Sequence, residues 1–411
     1  MPWKETEVMK LREEFVFKAM NGRASMSELC QEYGVSRKTG YKWLERFREH
    51  GLTGLCNASR RPHGSPNALS EAMVCKLIRL KMARPTWGPK KLINVYTRQY
   101  GEADAPSLSS VKRVLEKAGF VTHRRRARRG ENARVEERVE AQTSNDLWTV
   151  DFKGWWKTRD GVRCEPLTIR DGYSRFLLDL RALESTSSDA VRPAFESLFE
   201  QYGLPGAIRS DNGSPIASVN APLGLSRLSA WWVSLGIHLD RIAPGRPDQN
   251  GAHERIHKDI RAELQLSPAN DAEESQALFD EWKRTFNWER PHEALNMKFP
   301  GEIYQRSEHA YEPGPLDISY APNWMERRVS SAGTIKLLSN RIAISMALSG
   351  FTVGLQPEDR QLGVWFDYLR LGHIDLNTMK FISKTTNKRS RSSSGRSTAR
   401  RRNGSEPTPT P

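Results

Sequence analysis

Residues 147 to 156 read LWTVDFKGWW, an apolar, β-branched and aromatic run with a single carboxylate, Asp151, set into it. Such a run reads as a central strand. Two further acids stand in comparable settings. Asp211 ends a short apolar run in AIRSDNGSP (207–215), and Glu254 opens a helix in PGRPDQNGAHERIH (244–257). Carboxylates at strand ends and on a helix can converge in a fold. Magnesium takes hard oxygen ligands, and in-line attack on a phosphodiester is best served by two such ions about 3.5–4 Å apart. The three acids therefore predict a metal-dependent phosphoryl-transfer site.

Outward from that strand, residues 145–300 alternate strand and helix patterns. CEPLTIRD and SRFLLDLRAL read as hairpin partners. A helix from about Ser188 to Tyr202, a strand in GAIRSD, a helix through LSRLSAWWVSLG, a strand in IHLDRIAP and two long helices separated by LSPAND follow. This predicts an α/β core over 145–312. Its order, three strands and then helix and strand units, resembles the ribonuclease H-like fold of polynucleotidyl transferases. Beyond it, segments such as RIAISMAL and FTVGLQ, broken by Gly, Asn and Pro, predict a small all-β, barrel-like domain over 313–382. Residues 383–411 form a Ser, Arg and Lys tail without the apolar content to fold.

Upstream the chain reads as all-α. Val8, Leu11, Phe15 and Ala19 stand at helical spacing before a break at Asn21-Gly22, and a second helix begins near Ser27. The stretch SMSELCQEYGVSRKTGYKWLERFREHG has a helix-turn-helix pattern, with Leu29, Cys30 and Val35 inward, Gly34 at the turn and Ser36 as N-cap of a helix holding Tyr41, Trp43 and Leu44. Arg37, Lys38 and Thr39 head that helix, where short polar and basic side chains reach base edges and phosphates. An ordinary helical hairpin is the other reading. This domain spans 1–56, and a basic linker rich in Pro, Gly and Ser spans 57–69. A second helix-turn-helix domain over 70–120 starts at a Ser70 cap, continues through WGPKKLINVY, and closes with a helix from Ser107 or Ser109. Val111, Val114 and Leu115 face inward there, with Lys112, Arg113 and Lys117 outward. In the basic linker 121–144, Arg124, Arg125, Arg126, Arg128 and Arg129 repel one another and read as a phosphate-contacting arm.

Composition agrees with a polyanionic partner. Lys and Arg number 64 against 49 Asp and Glu over 411 residues, a formal charge of +15, which favours nucleic acid, with an anionic membrane surface as the other candidate. No run of about 18 apolar residues and no signal peptide stands out, so the expected location is cytoplasmic, on the nucleoid. Cys30, Cys56, Cys75 and Cys164 include no C-x-x-C pair and read as reduced, mostly structural thiols.

With these motifs in place, residues 1 to about 310 resemble a DDE-type insertion-sequence transposase of the integrase-core superfamily. Asp211 follows Asp151 by 60 positions and Glu254 follows Asp211 by 43, in the family's order. The settings D-F-K, S-D-N-G-S and P-G-R-P-D-Q-N-G-A-H-E-R match as well, and WERPHEALNMKFPGEIY resembles the closing motif through Arg290, Pro291, His292 and Leu295. The resemblance implies that Asp151, Asp211 and Glu254 are catalytic metal ligands for two Mg²⁺ ions, with Mn²⁺ able to substitute. It also implies that water, and then a liberated 3′-hydroxyl, attacks double-stranded DNA at element ends and target without a covalent protein intermediate. Pairing two ends implies a homo-oligomer, a dimer or higher. His257, Lys258 and Arg261, three to seven residues beyond Glu254, read as cations gripping phosphates, and Asn212, Gly213, Gln249, Asn250 and Gly251 as turns near the metal or DNA. The spacing between the second and third acids exceeds that of retroviral-type integrases, and their His and Cys zinc module is missing. His253-Glu254-Arg255-Ile256-His257 also fits the zinc-protease signature H-E-x-x-H, a reading that leaves Asp151, Asp211 and the helix-turn-helix pair unexplained. His253 then reads as a DNA-contacting or structural histidine. Trp155, Trp156, Trp231 and Trp232 read as base-stacking or, for at least three of them, core residues. A catalytically silent DNA-binding regulator of the same fold and a metal-dependent DNase are the alternatives.

Overall fold

In the computed structural model the described residues are 5–57, 68–121, 140–218, 221–242, 251–314 and 318–384. The five linker arginines Arg124, Arg125, Arg126, Arg128 and Arg129, the turn residues Gln249 and Asn250, and the tail beyond Lys384 lie outside them. The chain divides into two compact units, Met1–Ser70 and Glu71–Pro411.

The first unit holds α1 (Glu5–Met20), α2 (Met26–Glu32) and α3 (Arg37–His50) around Phe15, Val16, Leu29, Cys30, Leu44 and Leu55. Helix α2 starts one residue before Ser27, because Ser25 forms a capping box: its hydroxyl accepts from the Glu28 amide while the Glu28 carboxylate accepts from the Ser25 amide at 2.8 Å. Ser36 caps α3, as its spacing predicts. Leu11 is exposed, contrary to the helical-spacing reading, since the inward ridge of α1 is set by the adjacent pair Phe15 and Val16. Gly40 marks the tight spot. A Cβ there would sit 2.7 Å from Cys30 Sγ and 2.8 Å from Phe15 Cζ.

The second unit begins with α4 (Glu71–Ala83), α5 (Pro89–Tyr100) and α6 (Leu108–Lys117), which bury Leu77, Leu92, Tyr96, Val111 and Leu115. Ser107 caps α6. These helices are tied to the segment after the last core helix: Lys90 pairs with Glu293 at 2.8 Å, Arg98 with Glu302 at 2.7 Å, and Arg84 with Glu289.

Next come β1 (Leu147–Phe152), β2 (Trp156–Lys157), β3 (Arg163–Asp171), β4 (Leu177–Leu183), α7 (Ser188–Tyr202), β5 (Ala207–Ser210), α8 (Arg227–Ser234), β6 (His238–Arg241), α9 (Gly251–Ile260) and α10 (Ala272–Trp288). The main sheet is mixed. Strand β3 pairs antiparallel with both β1 and β4, whereas β1, β5 and β6 run parallel. This is the mixed-sheet core expected of a ribonuclease H-like chain. Because side chains alternate along a strand, Trp148 and Val150 face α7 and α8, where Phe195, Phe199, Trp231 and Trp232 fill the core. Thr149 and Asp151 take the other face, under α9. There Ile256, Ile260, Phe279, Trp282 and Phe286 join Trp156, Leu177 and Leu180 in a second cluster. Three of the four singled-out tryptophans are therefore core residues, and only Trp155 among them is exposed, with Arg163 stacked 4.8 Å from its ring centroid.

The C-terminal segment is all-β. Its strands are β7 (Met325–Arg328), β8 (Thr334–Leu337), β9 (Asn340–Ala343), β10 (Thr352–Glu358), β11 (Gln361–Phe366), β12 (Leu369–Asp375) and β13 (Lys380–Ser383). They form a five-stranded sheet, β13-β12-β11-β10-β7, and a separate β8-β9 ribbon. A turn closed by Gly333 N–H on the Ser330 carbonyl at 2.9 Å redirects the chain after β7 and leads it into that ribbon. Leu225, Ala230 and Val233, from α8 and the residues before it, belong to the same apolar cluster as Val353, Leu355 and Phe366.

Candidate active site

Asp151 lies near the C-terminal end of β1, Asp211 just past β5, and Glu254 in the first turn of α9. Parallel pairing of β1 with β5 brings the first two strand ends together, and α9 crosses the Asp151 face. Asp151 feels the other two carboxylates. Burial pushes the Asp151 carboxyl up to about 7, with Asp211 and then Glu254 adding like-charge repulsion. Asp211 and Glu254 are exposed and Asp151 is half-buried, an open-sided arrangement a large substrate can reach. Asp211 is oriented by its own turn: the Gly213 amide donates to Asp211 Oδ1 at 3.0 Å, and a Cβ on Gly213 would come within 3.0 Å of the carboxylate. Asn212 anchors that turn by donating to the Ile242 carbonyl at 2.7 Å.

Behind Asp151 lies a polar knot that spacing alone did not reveal. The Thr168 hydroxyl sits 2.9 Å from the Asp151 carbonyl, 3.0 Å from His253 Nδ1 and 3.0 Å from His257 Nε2. A hydroxyl has one proton to give and two lone pairs. It donates to the carbonyl and accepts from both imidazoles, which fixes both tautomers. His253 Nε2 then accepts from the Thr149 hydroxyl at 2.7 Å, so both its nitrogens are engaged. His257 Nδ1 is left with a lone pair 3.9 Å from Asp151 Oδ2. Both rings stay neutral at neutral pH: burial holds His253 well below the usual range and His257 down to about 4. Nitrogen and oxygen atoms of Asp151, His253 and His257 lie within 4.8 Å of one another, yet His253 has no lone pair to spare. This corrects two readings. His257 is a neutral, half-buried group and not a cation on the surface. The H-E-x-x-H pair turns both rings inward to Thr168 and away from a shared zinc.

Lys258 and Arg261 are exposed, Arg261 opening a π-helical turn, Arg261–Gln265, that prolongs α9. Lys153, two residues past Asp151, was not singled out from the sequence. Its ammonium lies 3.3 Å from Gln265 Oε1, and burial and then the Arg261 charge lower its pKa. In the first unit Arg37 donates to Ser27 Oγ at 2.8 Å, and the Thr39 hydroxyl is 2.9 Å from the capping Ser36 hydroxyl, while Lys38 is exposed. Lys112 and Arg113 are exposed on α6.

Comparison with known proteins bears on this geometry. The family described as Integrase core domain matches residues 141–247 and, in a second form, 235–300, and the leucine-zipper of insertion element IS481 matches residues 4–81. The insertion element IS407 31.7 kDa protein of Burkholderia multivorans is 26% identical over 253 residues, covering 61% of this chain and 87% of that protein. The insertion element IS476 39.2 kDa protein of Xanthomonas euvesicatoria is 26% identical over 272 residues, covering 66% of this chain and 75% of that protein. YlbG of Shigella boydii is 31% identical over 88 residues, covering 21% of this chain and 72% of that protein. Among solved structures, the HTLV-2 integrase catalytic core domain in complex with magnesium matches with 15% identity over 40% of this chain and 99% of that one, at a TM-score of 0.29. The simian T-cell lymphotropic virus intasome matches with 13% identity over 66% of this chain and 87% of that one, at 0.35. The integrase-core matches span the strands and helix that carry the three acids, and the insertion-element relatives extend over most of the same region. The chain belongs to the DDE-type insertion-sequence transposases. No helix among the described residues is long and apolar enough to cross a membrane.

Proposed function

We propose that the chain binds the terminal inverted repeats of its mobile element, cleaves the DNA 3′ ends in a metal-dependent reaction and transfers the strands into target DNA, with Asp151, Asp211 and Glu254 as the metal-holding acids. The observation that carries this reading is the placement of three carboxylates from separate elements, with Asp211 and Glu254 near enough to Asp151 to add repulsion to the burial that raises its carboxyl. A divalent cation relieves that repulsion, and a donor set of carboxylate oxygens suits Mg²⁺, with Mn²⁺ as substitute. When bound, a pair of such ions supplies Lewis-acid charge at the attacking and leaving oxygens of the phosphodiester.

The rest falls to the chain's own groups. Gly213 N–H holds Asp211 in one orientation, and Thr168 holds the Asp151 backbone together with both histidines. Lys153, Lys258 and Arg261 supply positive charge for the phosphates flanking the reacting one. Arg37, Lys38, Thr39, Lys112 and Arg113, with the 121–144 arm, are assigned to DNA ends, the 1–56 and 70–120 segments serving as reading heads. Joining two ends calls for at least a dimer. A labelled duplex carrying the element's terminal repeat, incubated with Mg²⁺, Mn²⁺ or EDTA, tests this. Wild type is expected to nick and join it in a metal-dependent manner, and Asp151→Ala, Asp211→Ala and Glu254→Ala to bind it without either step. Tight binding by wild type with no cutting would replace the enzyme with a DNA-binding regulator.

A further inference from the structure

On the flank of α9 away from Glu254 lies a cavity of about 560 Å³ lined by five cationic side chains, Lys91, Arg170, Arg175, Arg255 and Arg290. Two acids share the lining, Asp259 and Glu293, and each already has cationic partners, those of Asp259 within the cavity itself. Asp259 is bonded by Arg290 and lies 3.8 Å from Arg255, and Glu293 pairs with Lys90 at 2.8 Å on the surface. Lys91, Arg170 and Arg175 therefore have no ion-pair partner among the described residues. Arg170 and Arg290 are only 7% and 4% exposed, and each has an Nε with no hydrogen-bond partner, as does Nε2 of the buried His292. Buried guanidinium groups with unused donors are costly. An anion in the cavity offsets the cost of gathering those cations there, and a phosphate, with several acceptor oxygens on one centre, matches the forked donors of arginine. Burial and then the nearby Arg290 lower Lys91 to about 8.

We propose that this cavity is a phosphate-binding pocket, and, resting on the DNA-acting reading above, that its phosphate belongs to the backbone of DNA engaged beside α9. It uses Arg290 and His292 of the closing motif, which the acid site leaves without a task, and it recruits Lys91 from α5. That joins the helices preceding the core to the strand beneath α9.

The test compares wild type with the double variant Lys91→Gln/Arg175→Gln, which spares the two most buried arginines. Each is melted with and without pyrophosphate, and each is titrated with a terminal-repeat duplex over a range of salt. Pyrophosphate is expected to raise the wild-type Tm and to leave the variant unmoved. The variant is expected to bind duplex about tenfold more weakly with a shallower salt slope, since fewer counterions are released. If pyrophosphate discriminates the two but duplex binding is equal, the pocket takes free phosphate and its assignment to DNA is overturned. If pyrophosphate stabilises neither protein and duplex binding is equal, the pocket itself is overturned. Wild type that fails to bind duplex at all counts against the proposed function, and the pyrophosphate arm still decides the pocket. A variant that melts far below wild type without ligand is replaced by Arg175→Gln alone, read in the same two arms.

Discussion

At the scale of single residues, the site is governed by Asp151. Its carboxyl is raised to about 7 in the fold and takes an ordinary value near 3.9 when unfolded, so the folded state holds the proton more tightly. The stability linked to that proton is complete below about pH 4 and is lost as pH rises through about 7. Asp151→Asn removes the titration. Its Tm advantage over wild type, measured without metal, is expected to be absent near pH 4, to grow up to about pH 7 and to level off above. The side chain is 23% exposed, so a plateau on the order of 1–3 kcal/mol is expected after screening. A difference that does not change with pH would remove the like-charge cluster from the account. His257 carries a related lesson. The sequence placed it beside Glu254 as a cation; burial keeps the ring neutral, and the Thr168 hydroxyl, 89 residues earlier in the chain, sets the tautomer that turns its lone pair toward Asp151.

At the scale of elements, what could be read in advance was what local chemistry decides. The 147–152 strand declares itself by its apolar run, the α3 start by Ser36, and the Ser188–Tyr202 helix by its residue pattern. Close approach between elements was not legible. Gly40 looks like a flaw in a helical stretch until α3 is seen packed on Cys30 and Phe15. Replacing it with Val forces a side chain into occupied space, and overpacking of this kind costs about 1–3 kcal/mol. Amide hydrogen exchange is expected to quicken across α2 and α3 in Gly40→Val and to stay unchanged in β1. Unchanged protection in α3 would show that the crossing has slack.

At the scale of the whole molecule, pattern reading treated the helices at 70–120 and the strands at 313–382 as separate domains. Their ties to the core come from residues far apart in sequence, such as Arg98 and Glu302, or Val233 and Val353, which no local period announces. The C-terminal strands cover Leu225 and Val233, both almost wholly buried, and uncovering each large apolar side chain costs about 1.5–3 kcal/mol. A chain ending at residue 314 is therefore expected to bind a hydrophobic dye and to melt below the full chain. Equal dye binding and an equal Tm would mean that this cover is dispensable.

The central claim is that Asp151, Asp211 and Glu254 hold catalytic metal together, and Mn²⁺ binding tests it most directly. Mn²⁺ is titrated calorimetrically into wild type, Asp151→Asn, Asp211→Asn and Glu254→Gln, each mixed with the terminal-repeat duplex. The account predicts saturable binding of up to two ions per site in wild type, weakened about tenfold or more by each substitution. Isotherms that coincide across all four proteins would contradict it.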